Sequence, residues 1–293
     1  MTFYEIEFPL AGLSAERVEQ ILLEAGASSI TFLDRGDDPV LEPKPGEFRL
    51  WSDTLVRALF DESHDAARNI DLLATGLGSH ITASARVRAV EDRAWERVWL
   101  KDWKPMRFGE RLWICPTFAE PPSVPNSVVV WLDPGLAFGT GTHPTTALCL
   151  EVLDSLHLSG RSVIDYGCGS GILAIAALKL GAAHALGVDL DPQARLATRD
   201  NAARNGVAAR LDVQDVGAAL PAADCVLANI LAGPLIQLAQ ILTSACKPGG
   251  DLVLSGILSA QESAVMACYA PRFDSVCSRQ RDEWCCIHAR GAC

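Results

Sequence analysis

Val163-Ile164-Asp165-Tyr166-Gly167-Cys168-Gly169-Ser170-Gly171 runs into the breaker-free stretch Ile172 to Leu180, and Gly187-Val188-Asp189 follows. Two β-branched residues lead into an acid, three glycines alternate, and an Ala/Leu-rich segment begins. The pattern predicts a buried parallel strand, a tight turn and a helix N-terminus, with bare backbone open to a nucleotide-like ligand. Details then select the ligand. A dinucleotide fingerprint G-x-G-x-x-G requires glycine at position 172, where this chain has Ile172. That fingerprint also has no carboxylate two residues ahead of its first glycine, where this chain has Asp165. Asp165 suits a ligand bearing an ammonium rather than a pyrophosphate. Asp189, at the end of the next strand, is placed to accept the two hydroxyls of a ribose. An amino acid joined to a ribose, with no phosphate receptor, describes S-adenosylmethionine.

The chain has 293 residues, 49% hydrophobic and 21% charged, which suits a globular protein of one large or two modest domains. No stretch reaches the length of uncharged apolar residues that a membrane span needs, so no membrane association is expected. Met1-Thr2-Phe3-Tyr4-Glu5 lacks a basic leader and a cleavage site, so a cytoplasmic location is expected. The ten cysteines are scattered without C-x-x-C spacing and read as buried reduced thiols; no metal site is expected. Cys285 and Cys286 are adjacent and should face opposite sides of a strand. The net charge of −11 is unevenly spread: residues 1–92 hold 8 Lys/Arg against 17 Asp/Glu, a net of −9. Such a surface repels nucleic acid, so no direct nucleic-acid binding is expected. It suits a basic protein partner, or merely keeps the domain soluble.

Three segments emerge. Residues 1–92 read as a small domain. Phe3 to Phe8 alternates as a strand, Ser14 can cap a helix carrying Val18, Ile21, Leu22 and Ala25 on one face, and Ser29 to Leu33 is a second strand. Asp37 to Gly46 reads as a proline-rich loop, Phe48 to Phe60 contains a third strand, His64 to Leu73 is a helix and Ile81 to Val90 a fourth strand. The order β-α-β-β-α-β predicts a ferredoxin-like α+β unit. Residues 93–104 predict a linker helix in which Trp95, Val98, Trp99 and Trp103 share a broad face, ended by Pro105. Residues 105–293 begin with short strands at Trp113 to Phe118 and Val128 to Leu132, then a helix from Thr145 to Leu156. Strands and helices alternate from Ser162, with a helix at Gly233 to Leu242, and end in a hairpin turning at Asp282-Glu283. The prediction is a seven-stranded doubly wound α/β sheet of the S-adenosylmethionine-dependent methyltransferase type.

Two further stretches carry chemistry. Pro134 to Thr146 concentrates Gly135, Gly139 and Gly141 with hydroxyls and rings before a helix, more than a structural loop needs. Phe138 can place its ring near a sulfonium. Thr145 and Thr146 can cap the helix or bond a carboxylate; capping is the plainer role for one of them. His143 is read as bonding locally within the loop, with general-base duty as the sharper alternative. Asn229 ends an apolar strand at the carboxyl edge where open sheets hold ligands. Its side-chain oxygen can accept from a nucleophilic nitrogen and aim the lone pair; loop bonding is the bland alternative. The followers Ile230 and Leu231 clamp no planar ring, so an aliphatic amine is favoured.

The stretch Phe138-Gly139-Thr140-Gly141-Thr142-His143-Pro144-Thr145-Thr146, the turn from Asp165 to Gly171 and the Asn229-Ile230-Leu231 turn are similar to those of the PrmA family. These are bacterial methyltransferases of the large-subunit ribosomal protein numbered eleven, and the resemblance covers essentially the whole chain. It implies methylation by S-adenosylmethionine of lysine side chains, and of the α-amine, in a ribosomal protein. It implies that the N-terminal domain recognises this partner while the linker lets one active site reach several amines. By motif match it places the cofactor against Thr146, Gly167, Asp189 and Asn229. With the residues read above, the candidate cofactor set is Thr146, Asp165, Gly167, Gly169, Asp189 and Asn229, and the candidate catalytic residue is Asn229. A monomer is expected. A small-molecule or other protein amine methyltransferase is the alternative on the same fold.

Overall fold

A computed structural model of the chain describes residues 3–36, 50–61, 66–78, 81, 83–90, 104–133 and 142–292. The loop Asp37 to Gly46, the linker helix expected before Lys104, and Gly135, Phe138, Gly139 and Gly141 lie outside the described residues. The chain forms two compact units, Met1–Lys101 and Asp102–Cys293.

The first unit runs β1 (Phe3–Pro9), α1 (Ala15–Glu24), β2 (Ser29–Asp34), β3 (Thr54–Asp61), α2 (Ala66–Leu77) and β4 (Arg86–Val90). Its sheet has the order β2-β3-β1-β4 with antiparallel neighbours, the ferredoxin-like arrangement. Alternation decides which face is buried: Tyr4, Ile6 and Phe8 of β1 point with Val56 and Phe60 of β3 into a core closed by Val18 and Leu22 of α1 and Leu73 of α2. Ser14 caps α1 by accepting from the Arg17 amide. Every buried member of this core lies between residues 4 and 81.

The second unit opens with β5 (Met106–Phe108), β6 (Leu112–Cys115) and β7 (Val128–Trp131), a separate three-stranded sheet. The three-residue strand β5 is too short to leave a pattern in the sequence. There follow α3 (Pro144–Ser155), β8 (Ser162–Tyr166), α4 (Ile172–Lys179), β9 (His184–Val188), α5 (Pro192–Arg204), β10 (Leu211–Gln214), β11 (Ala223–Asn229), α6 (Ala232–Gln237), α7 (Ala239–Ala245), β12 (Cys246–Leu258), α8 (Glu262–Tyr269), β13 (Phe273–Arg281) and β14 (Trp284–Ala292). The single helix expected from Gly233 to Leu242 is two, because the Leu238 backbone at φ −89°, ψ 2° leaves the helical region between them.

The large sheet has the order β10-β9-β8-β11-β12-β14-β13, parallel through β12 and antiparallel beyond it. Helices cover both faces, so the central strands alternate between two apolar cores. Val163, Ala185, Leu227 and Val253 face α3 and α4; Ile164, Leu186, Val226 and Leu254 face α6, α7 and α8. Cys286 lies in the first core and Cys285 in the second, as adjacent strand residues must. The nine described cysteines are free thiols, and all but Cys268 and Cys277 are buried. Among the described residues no helix is long and apolar enough to cross a membrane.

Candidate active site

The strand order reverses between β8 and β11, and the crevice outside their carboxyl ends is where doubly wound sheets bind ligands. A cavity of about 680 Å³ opens there, walled by the ends of β8, β9 and β11, the first turn of α3 and the start of β14. Thr146, Asp165, Gly167, Gly169, Asp189 and Asn229 all line it, so residues far apart in sequence share one space.

Asp165, next to last in its strand, is buried at 1% exposure. Its Oδ2 accepts from the Ala174 amide at 3.0 Å, but its Oδ1 has no hydrogen-bond partner. Burial, reinforced by the nearby Asp189 charge, pushes this carboxyl up to about 7 despite the Ala174 bond. A buried carboxylate oxygen with nothing to accept from is costly, and an ammonium beside it would remove that cost.

The turn that follows depends on glycine. Gly167 (φ 78°), Gly169 (φ 54°) and Gly171 (φ 79°) all sit in the left-handed region. Space excludes a side chain as well: a Cβ on Gly167 would collide with Ile230, and one on Gly171 would lie 2.8 Å from Cγ2 of Thr198. Asp189 then ties turn to strand, accepting from the Gly169 amide with Oδ2 and the Asp191 amide with Oδ1, each at 2.9 Å. Each oxygen retains a lone pair, the requirement for receiving a vicinal diol. Arg195, which sequence reasoning passed over, donates from Nη1 to the carbonyls of Asp189 (2.6 Å) and Leu190 (2.9 Å). Nothing in the sequence around Arg195 marks it, because its role exists only once α5 folds back over the β9 end.

Asn229 ends β11 opposite Ser255 of β12. Its Nδ2 donates to Thr146 Oγ1 at 3.2 Å across 83 residues of sequence. Thr146 is fully buried in the first turn of α3. That helix is capped by neither threonine: the cap is His143, whose Nδ1 accepts from the Thr145 amide at 3.4 Å and lies 2.8 Å from Thr145 Oγ1, with Pro144 at the first helical position. The His143 ring meets Trp284 edge-on, centroids 4.9 Å apart, and burial holds its imidazole below the usual range while the Glu283 charge opposes this. Trp284 also lines the cavity. Sequence reasoning missed it, since a tryptophan opening a terminal hairpin carries no local sign of facing a site built by other strands.

Asp189→Ala is expected to weaken cofactor affinity by about 1.5–3 kcal/mol, the range for hydrogen bonds to a charged group. Calorimetric titration of the folded variant checks this. Unchanged affinity would remove Asp189 from the site, and Asp189→Asn should lose less because one acceptor survives.

The chain matches the family model described as ribosomal protein L11 methyltransferase (PrmA) over residues 2–292. It is 52% identical over 296 residues to the ribosomal protein L11 methyltransferase of Sodalis glossinidius, covering 98% of each chain. It is 52% identical over 290 residues to that of Pasteurella multocida, again covering 98% of each. Among solved structures, the ribosomal protein L11 methylase of Lactobacillus delbrueckii subsp. bulgaricus is similar, with a TM-score of 0.59 and 30% identity over 65% of this chain and 100% of that one.

Proposed function

The chain belongs to the PrmA family of ribosomal protein L11 methyltransferases, and from that membership we propose that it transfers methyl groups from S-adenosylmethionine to lysine side chains, and to the N-terminal α-amine, of ribosomal protein L11. The observation that carries the donor and the amine chemistry is a juxtaposition. One cavity holds a buried carboxylate lacking a partner at Oδ1, a second carboxylate with spare lone pairs, and an asparagine locked by a threonine.

The residues present fit S-adenosylmethionine. Asp165 Oδ1 would take its ammonium, Asp189 its ribose hydroxyls, and the Gly167–Gly169 backbone would lie against it with no side chain intervening. When bound, S-adenosylmethionine supplies an electrophilic methyl on a positively charged sulfur. The protein's work is alignment, because in-line displacement needs nitrogen, methyl carbon and sulfur collinear. With Nδ2 of Asn229 committed to Thr146, its Oδ1 is the atom presented to the incoming amine. Accepting an amine N–H there turns the nitrogen lone pair toward the methyl. The amine must first be neutral. For a lysine of pKa about 10.4, deprotonation at pH 7 costs roughly 4–5 kcal/mol. Desolvation in a cavity of mainly apolar walls lowers that pKa, so no dedicated base is required.

Residues 1–92, net −9, provide the surface for a basic ribosomal protein in the cytoplasm where it is made. Residues 93–104 act as the linker, and the enzyme works as a monomer without touching nucleic acid. The test is incubation with isotopically labelled S-adenosylmethionine and purified ribosomal proteins, read by mass spectrometry. Label on lysine and N-terminal amines of L11 supports the proposal; label elsewhere, or none, refutes it. The two units have separate cores, so deleting residues 1–92 should leave a folded protein that binds cofactor. That protein should lose at least about tenfold in kcat/KM for intact L11, roughly 1.4 kcal/mol of docking energy. A wild-type kcat/KM in the truncated enzyme would overturn the recognition role.

A further inference from the structure

We propose that Ser255 is a positioning residue for methyl transfer, its hydroxyl fixing α3 and β14, which carry Thr146 and Trp284 to the cavity, beside Asn229 on β11. The proposal rests on the reading of Asn229 given above.

Ser255 is fully buried on β12. Its Oγ lies 3.2 Å from the carbonyl of Thr145 in the first turn of α3 and 3.1 Å from the carbonyl of Cys285 on β14. One hydroxyl proton is thus shared between two carbonyls on different elements. The neighbours of Ser255 belong to the cavity or adjoin it: Thr145 lines it and precedes Thr146, Cys285 follows Trp284, and the cross-strand partner in β11 is Asn229 itself.

A break in the strand pairing lies beside it. Leu254 pairs with Ile287 and Ile257 with Cys285, so Ser255 and Gly256 together oppose Cys286 alone. Such a bulge bends its strand and re-aims a side chain. Gly256 takes φ 84° there, and a Cβ on it would enter the Ile230 backbone, 2.7 Å from its carbonyl carbon. The bulge therefore seats the turn after Asn229 directly on Gly256, while Ser255, two residues from Val253 and on the same face of the strand, points its hydroxyl toward α3. Without the hydroxyl, two carbonyls lose a shared donor, and the first turn of α3 is free to shift against β14. Thr146 moves with that turn, and Asn229 with Thr146. Misplacement of a reacting group by about 1 Å costs up to 10²-fold in rate, so a partial shift should lower turnover about tenfold.

The experiment measures kcat, KM for the ribosomal protein and cofactor affinity for Ser255→Ala, alone and combined with Asn229→Ala. The expected result is a kcat about tenfold lower with KM within about twofold of wild type, and no further loss in the Asn229→Ala background, because residues acting through one another are not additive. Wild-type kcat in Ser255→Ala, or an equal fold-loss in both backgrounds, overturns the proposal, the second by showing a general loss of structure. Should the alanine variant fail to fold, Ser255→Cys takes its place: the thiol is a weak donor of similar shape, and the same non-additivity is required of it. If Asn229→Ala alone turns over normally, the reading of Asn229 fails instead, a separate outcome.

Discussion

Asp165→Asn is expected to make the cofactor-free protein more stable above neutral pH while destroying its affinity for S-adenosylmethionine. The buried carboxyl of Asp165 is held at about 7 against 3.8 for the unperturbed group. Between those values the folded protein keeps a proton that the unfolded chain releases. Unfolding is therefore favoured increasingly as pH climbs from about 4 to about 7, and stability levels off above that. At about 1.4 kcal/mol per tenfold in proton affinity, the rise from 3.8 to about 7 corresponds to about 4 kcal/mol withheld from the fold at and above neutral pH. Asparagine keeps an oxygen for the Ala174 amide and carries no charge, so most of that deficit should vanish, along with the pH dependence. A cationic amino group loses its counter-charge in the same step. Urea unfolding of both proteins between about pH 4 and about pH 8, with and without cofactor, reads all of this. Parallel pH profiles, or cofactor affinity retained by the asparagine variant, would remove Asp165 from ammonium recognition.

For Asn229→Ala, turnover should fall on the order of 10²-fold with cofactor affinity and fold nearly intact, because the orienting bond matters mainly in the transition state. Asn229→Asp discriminates further. A carboxylate keeps the acceptor but also pairs with the substrate ammonium and delays its deprotonation. Its rate should recover as pH rises toward the shifted amine pKa, while the alanine variant stays slow throughout. Single-turnover methylation of a lysine-containing substrate between about pH 7 and about pH 10 separates the two. Parallel profiles would leave Asn229 as a residue that merely bonds Thr146.

Where chemistry is carried by backbone conformation or strand period, it was legible in the chain. Alternating glycines after a β-branched pair announce a left-handed turn, and Gly167, Gly169 and Gly171 have positive φ. The β-α-β-β-α-β order likewise foretells the N-terminal unit, whose strands pair as β2-β3-β1-β4 with both helices closing one core. The place of Asp165 and Asp189 at the cavity was readable because they sit at fixed offsets from that turn. Asn229 was readable because it ends an apolar run.

Tertiary structure decided what depends on elements meeting. The hydroxyl nearest the helix start was not the cap of α3: His143 took that place and released Thr146 to receive Asn229 from another strand. Trp284 enters the cavity only because β14 runs antiparallel to β12 and brings its first residue to the carboxyl edge. Arg195 holds the Asp189 turn only because α5 folds back across it. The partnerless oxygen of Asp165 has the same origin. Sequence placed an acid there, but its raised pKa comes from burial beneath α4 and from Asp189 just past the neighbouring strand, distances that no local spacing encodes.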